Sequence, residues 1–216
     1  MSWVIHTLST SVGKKLLMAI SGFMFLGFLA GHLIGNLTIY WGKDAFLSYA
    51  KHLHDLGPLL VFFEVGLVVF AVIHIATAVF LFFENRAARP VGYRVDKTGG
   101  GGRTLSSRTM PYTGLLILVF IVIHLLNFSH HIVDQTKQNI FQIVTEKFSQ
   151  PQWLLGYIIA VIIVAFHVRH GLWSAFQTIG ANHPKYMPVI EKLSVLFAVI
   201  VGLGFGLLPI VFRVLA

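Results

Sequence analysis

Four histidines recur at regular intervals through the most apolar parts of the chain: His32, His74, His124 and His167. Successive members are separated by about one helix plus one loop. An imidazole inside an apolar segment is costly, so such a residue usually faces the protein interior and has a function there. Its ring can hydrogen bond, relay protons or ligate a metal ion through a nitrogen. The pattern predicts one inward-facing histidine on each of four helices.

The segments that carry these histidines are long enough to cross a membrane. Hydrophobic residues make up 56% of the 216 residues and charged residues only 11%. A spanning helix needs about 20 apolar residues, and five stretches qualify: 16–39, 58–83, 111–131, 153–177 and 190–212. Pro58 and Pro111 suit the first turn of the second and third helices. We therefore predict one all-α integral membrane domain, residues 1–216, built as a bundle of five transmembrane helices.

Basic residues are distributed unevenly between the loops. Segment 84–110 carries six of them, whereas 40–57 and 130–152 carry two lysines each. The positive-inside rule then predicts a cytoplasmic N-terminus, a cytoplasmic 84–110 segment and an outside C-terminus. Topology thus explains the net charge of +8 better than nucleic-acid binding does. Segment 84–110, with its glycine run 99–102, is expected to be a flexible solvated loop, the alternative being a docking surface for a cytoplasmic partner.

The cofactor classes are limited by composition, because the chain has no cysteine. Disulfides, thiolate zinc sites, iron–sulfur ligation and covalent c-type haem attachment are all excluded for this chain. Any metal centre must use nitrogen or oxygen ligands.

Depth within the predicted helices sorts the four histidines into two levels. At about 1.5 Å per residue, His32 lies about 25 Å and His124 about 20 Å from the cytoplasmic edge. His74 and His167 lie about 15 Å from it. Two pairs at two levels predict two stacked bis-histidine sites, and b-type haem is the cofactor held by two imidazoles alone. Zinc would need further ligands, and interhelical hydrogen bonds are the alternative for each histidine.

Small residues near the histidines would let a flat ring approach the helices, although they also suit close helix packing. They are Gly27, Gly31 and Gly35 around His32, Ala71 and Ala78 around His74, and Gly171 after His167.

Two charged residues within the spans are further candidates. Arg169 could pair with a haem propionate, or it could extend toward the cytoplasmic interface. Glu64 is predicted near the level of the outer pair, where it could exchange protons with a quinone or, protonated, bond a neighbouring helix. His170, one turn from His167, competes with it as a ligand.

The remaining histidines, including His6 near the N-terminus, are given no role. His130 and His131 are expected to face the outer surface, and His52, His54 and His183 are placed in loops.

Three segments, "GHLIGNL", "AFLSYAKHLHDLGP" and "FHVRHGLWS", carry a resemblance that covers nearly the whole chain. The chain resembles the cytochrome b membrane-anchor subunit of succinate:quinone oxidoreductases (succinate dehydrogenase and fumarate reductase), in the single-chain, five-helix, di-haem form. Within the resemblance, the pattern H-x-x-x-G-L-W-S selects His167 over His170. It also implies His32 with His124 on an outer haem and His74 with His167 on an inner haem.

The resemblance implies the partners and the activity as well. Two soluble subunits, a flavoprotein with FAD and an iron–sulfur protein, would bind the cytoplasmic face of a bacterial cell membrane. Electrons would pass between them and a quinone, expected to be menaquinone, so that this chain is the membrane subunit of the enzyme without a soluble-substrate site of its own. Some relatives carry a buried carboxylate two residues before the fourth ligand, where Ala165 stands in this chain.

Two other functions fit a histidine-bearing bundle. Another di-haem quinol-oxidising anchor would generally place two ligands on one helix, unlike the distribution found here. A transporter could use histidines as a proton relay, but it would usually show internal repeats and broken helices. The sequence indicates no internal repeat, and Pro209 is the only proline well inside a predicted span.

Overall fold

The computed structural model of this chain describes residues 2–88 and 105–215. Every regular element within those ranges is helical. The glycine run 99–102 and the basic residues predicted at 89, 94, 97 and 103 lie outside the described residues. The helices are α1 (Ser2–Ser9), α2 (Ser11–Leu37), α3 (Lys43–His54), α4 (Pro58–Ala87), α5 (Leu105–Phe128), α6 (Ile140–Ser149), α7 (Pro151–Thr178) and α8 (Met187–Val214).

Five helices in the described part of the chain are long and apolar enough to cross a membrane, which confirms the predicted number. They are α2 with the short 3-10 turn Thr38–Trp41 that follows it, α4, α5 from Arg108, α7 and α8. Their large apolar side chains are extensively exposed, as lipid-facing surfaces require. The chain therefore has the character of a multi-pass membrane protein.

One predicted helix start is wrong. Pro111 lies inside α5, which begins at Leu105. A proline removes one backbone donor but need not end a helix when nearby groups compensate. The Thr113 hydroxyl lies 3.1 Å from the carbonyls of both Thr109 and Met110 and bonds to the turn around the proline.

The predicted loops 40–57 and 130–152 also contain helices, which corrects the placement of His52 and His54 in α3. α6 forms because Asn139 and Gln142 make a reciprocal capping box at its start. α3 and α6 both pack one apolar face against the ends of longer helices.

A buried core joins these short helices to α7 and α8. Its members are Ile39, Phe46, Val144, Phe148, Tyr157, Leu208 and Phe212. At the other end of α2 and α4, Lys14 and Glu84 form an ion pair. Helix α2 packs against α4, α7 and α8, while α5 packs against α7. This arrangement places the histidine-bearing helices side by side.

Candidate functional site

His32 on α2 and His124 on α5 lie in contact, with ring centroids 5.8 Å apart and nearly perpendicular planes. Aromatic rings surround both. Phe28 stacks on His32 at 5.3 Å, while Phe128 and Tyr157 lie 5.4 and 6.0 Å from the His124 ring. Packing of these aromatic side chains therefore holds the His32 and His124 rings in place.

The His124 ring has one nitrogen, Nδ1, that is fully buried and has no hydrogen-bond partner within the described residues. Burying such a group unpaired costs about 1–3 kcal/mol. An unpaired buried polar atom of this kind points to a functional site.

His74 on α4 and His167 on α7 form a second pair, close enough to interact electrostatically. Each ring is bonded by a hydroxyl from a neighbouring helix. Ser21 Oγ on α2 lies 3.0 Å from His74 Nδ1, and Thr113 Oγ1 on α5 lies 3.1 Å from His167 Nδ1.

Each hydroxyl also lies within hydrogen-bond distance of carbonyls of its own helix. Ser21 Oγ lies 2.8 Å from the Leu17 carbonyl, to which its own proton is donated. Thr113 donates in the same way to carbonyls of its own helix. When a hydroxyl donates its proton to its own helix, its oxygen accepts Nδ1–H, and Nε2 of the histidine keeps its lone pair. A neutral imidazole with a bonded Nδ1–H is the form that ligates metals.

A glycine follows each of these hydroxyl residues and lies beside the ring. A Cβ at Gly22 would be 3.7 Å from His74 Cε1, and one at Gly114 would be 3.5 Å from His167 Cε1. Neither glycine was among the small residues identified from sequence.

The glycines that were identified from sequence have different surroundings. A Cβ at Gly35 would lie 2.4 Å from the Tyr49 ring, so this glycine admits α3 rather than a cofactor. A Cβ at Gly27, Gly31 or Gly171 would meet no atom within 4 Å among those described.

The hydroxyl residues reveal a repeat that the sequence analysis missed. Ser21 stands eleven residues before His32, and Thr113 stands eleven before His124, each followed directly by glycine. The histidine bonded by the hydroxyl follows 53 residues later in one case and 54 in the other. The pattern [ST]-G-x9-H, compared between α2 and α5, would have found both. Eleven helical residues separate the two pairs by about 16 Å along the bundle.

His170, the competing ligand, packs against Trp173 of its own helix, at 5.8 Å between ring centroids. Nearby Arg169 has a carboxylate within reach, its guanidinium 3.9 Å from Glu191 Oε1 on α8. A protein carboxylate is therefore an alternative to a haem propionate as the ionic partner of Arg169.

Glu64 lies beside the turn that follows α5. Its Oε2 is 3.0 Å from His131 Nε2 and its Oε1 is 3.7 Å from His130 Nδ1. Partial burial lowers the pKa of His130, the Glu64 carboxylate opposes this, and His131 and His54 add to the lowering. The sequence analysis identified Glu64 without partners. In the structure it lies beside His130 and His131, to which the sequence analysis gave no role.

Ala165 lies against α8, where a Cβ on Gly202 would be 3.3 Å from its methyl group. This close approach leaves little room for a longer side chain at position 165.

Comparisons of the chain with models of protein families, with curated proteins and with solved structures find no match.

Proposed function

We propose that this chain is the di-haem cytochrome b anchor subunit of a succinate:quinone oxidoreductase. In this role it transfers electrons between a cytoplasmic iron–sulfur subunit and membrane menaquinone. The flavoprotein partner, with FAD, interconverts succinate and fumarate, and this chain contributes the membrane part of the enzyme.

One observation carries the proposal: four long apolar helices supply one histidine each to two levels about 16 Å apart along the bundle. The pairs are His32 with His124 and His74 with His167. The donor set fits b-type haem, because it offers paired neutral imidazoles and no thiolate. The buried, unpaired Nδ1 of His124 fits as well, since a bound group can supply or reorganise its partners.

When bound, b-type haem supplies reversible one-electron chemistry at iron. The protein residues hold and orient the ligands. Ser21 and Thr113 bond Nδ1 of their histidines, so Nε2 would be the nitrogen that ligates iron. The aromatic rings around His32 and His124 exclude water and restrict rotation of both imidazoles.

The proposal includes a bacterial cell membrane, with the N-terminus in the cytoplasm and the C-terminus outside. The orientation is supported by the concentration of basic residues in segment 84–110, and the bacterial cell membrane is what the family resemblance implies. Glu64 then lies toward the outer face, where its carboxylate could exchange protons with the quinone. Arg169 lies toward the cytoplasmic face, where a haem propionate and Glu191 would compete for it.

A reduced-minus-oxidised spectrum of the purified chain tests the cofactor. We expect a b-type band and about two haems per chain by the pyridine haemochrome assay. A well-folded preparation without haem, which haemin does not reconstitute, would refute the proposal and favour the histidine-relay transporter.

Copurification tests the complex. Mild detergent extraction with an affinity tag on this chain should retain a flavoprotein that oxidises succinate with a quinone analogue as acceptor. Two haems with a different catalytic partner would instead indicate the anchor of another respiratory complex.

A further inference from the structure

Within the part of the chain that the structure describes, Glu64, His130 and His131 form a group whose ligand atoms all lie within 4.8 Å of one another. The carboxylate faces both imidazoles. His131 Nε2 is 3.0 Å from one carboxylate oxygen, and His130 Nδ1 is 3.7 Å from the other. The two rings lie side by side, with centroids 3.9 Å apart.

We propose that Glu64, His130 and His131 bind one divalent transition-metal ion of the Zn²⁺ type. Two nitrogens and one carboxylate oxygen form a donor set that zinc uses when a fourth position is left for water. Ligand atoms about 2 Å from a tetrahedral ion lie about 3.3 Å from one another. The separations of 3.0 Å from His131 Nε2 to Oε2 and 3.7 Å from His130 Nδ1 to Oε1 are close to that value, although they join the nitrogens to different carboxylate oxygens. The three ligand atoms all lie within 4.8 Å of one another, so a modest adjustment of the side chains would complete the site.

The backbone holds the two histidines at the site without a metal. α5 ends at Phe128, and the Ser129 carbonyl accepts the N–H groups of Ile132 and Val133 at 3.0 and 2.8 Å. The Ser129 hydroxyl accepts the His131 N–H at 3.3 Å. These hydrogen bonds therefore order the turn whether or not an ion is bound.

The group is open to water, from which an ion would enter. The His131 side chain is 59% exposed and that of Glu64 is 32% exposed. His54 borders the site, its ring centroid 4.8 Å from that of His130. Its Nδ1 lies 2.7 Å from the Ala50 carbonyl, an acceptor, so Nε2 is the unprotonated nitrogen.

This site is separate from the four histidines assigned to haem, and its metal affinity can be measured whether or not haem is bound. An ion here would take the carboxylate oxygens that Glu64 offers to a proton in the proposed quinone role. The two uses of Glu64 therefore exclude each other at any one moment.

Zn²⁺ titration of the detergent-purified full chain, after chelator treatment and dialysis, tests the site. Calorimetry should detect one saturable site, and zinc analysis after gel filtration should give one ion per chain. Glu64→Gln and His131→Gln should each weaken Zn²⁺ binding by at least about tenfold, since each removes a ligand.

The matched control is His52→Gln. His52 is exposed on the same end of α3 as His54, and its Nδ1 lies 2.6 Å from the Ser48 carbonyl. We expect this variant to bind Zn²⁺ like the wild type. Equal affinity of the wild type, Glu64→Gln and His131→Gln would overturn the proposal, as would an equal loss in His52→Gln. An unchanged gel-filtration profile and thermal transition show that each variant is folded.

Discussion

The two histidine pairs are held in place by different forces. In the His74–His167 pair, a hydroxyl from a neighbouring helix bonds Nδ1 of each ring. In the His32–His124 pair, aromatic side chains surround the rings, and Nδ1 of His124 has no partner among the described residues. A directional bond specifies one nitrogen, whereas packing specifies only the ring position. Removing a hydroxyl should therefore perturb the His74–His167 pair, and removing aromatic ring volume should perturb the His32–His124 pair.

The largest expected effect is the loss of one haem when a histidine of either pair is replaced. Under the proposed function, His32→Ala or His124→Ala should remove one haem component from the spectrum, and His74→Ala or His167→Ala the other. Each variant should retain about one haem per chain, because the pairs lie about 16 Å apart.

His170→Ala is the matched control, one turn from His167 on the same helix. It should retain both haems. If it loses one while His167→Ala keeps both, the ligand assignment on α7 is wrong.

Phe148→Ala probes the packing side of the comparison. Phe148 is 5% exposed and contacts Phe128 and Tyr157, the rings that border His124. Removing a buried phenyl ring costs about 3–5 kcal/mol. Thermal unfolding in detergent should show a large decrease in midpoint, with the spectral change confined to the His32–His124 pair.

Phe62→Ala is the control for that variant, since Phe62 is 70% exposed. Its unfolding midpoint should stay close to that of the wild type. An equal decrease in both variants would mean that buried packing near His124 is not specially important.

Ser21→Ala and Thr113→Val probe the hydrogen-bonding side. Each removes the hydroxyl that bonds Nδ1 of one histidine, and an unpaired buried ring nitrogen costs about 1–3 kcal/mol. The effect should be smaller in Ser21→Ala, because the Met18 backbone also hydrogen bonds His74. Under the proposed function, the midpoint potential of the haem at His74–His167 should shift while that at His32–His124 stays constant.

Thr178→Val is the matched control, because the Thr178 hydroxyl bonds only the Ser174 carbonyl among the contacts described, at 2.9 Å. A potential shift as large as that of Thr113→Val would show that loss of any hydroxyl on these helices has the same effect.

Tyr157→Phe has the smallest expected effect and keeps the ring while removing its hydroxyl. The hydroxyl accepts a hydrogen bond from Asn127 Nδ2 at 3.0 Å. We expect a loss of about 1 kcal/mol in unfolding free energy, with the spectrum of the His32–His124 pair unchanged. Loss of haem in this variant would contradict the view that packing alone holds that pair.

The helices were predictable because apolar length is a strong local signal. The predicted 58–83 span begins at the observed start of α4, Pro58. α3 and α6 were missed since their apolar faces are short and gain stability only against other helices. Pro111 was misread because proline is common in the first turn of a helix, whereas α5 begins earlier, at Leu105.

The site residues likewise divide into those that the sequence identified and those that it missed. Histidines in apolar helices are conspicuous, and their depth follows from residue counts, so the sequence predicted which of them could meet. Ser21 and Thr113 were not identified, because a hydroxyl in an apolar helix often bonds only its own backbone. Glu64 was identified without its partners, which follow a turn 67 residues away along the chain.

By itself, the sequence determined the helical class, the five apolar helices and which four of them carry histidines, because composition and counting along one helix suffice for these. Only the tertiary structure decided which hydroxyl bonds His74 or His167, that Gly35 admits Tyr49, and that His130 and His131 meet Glu64. The physical reason is that these contacts join helices far apart in sequence, and their partners depend on how the helices are rotated and packed.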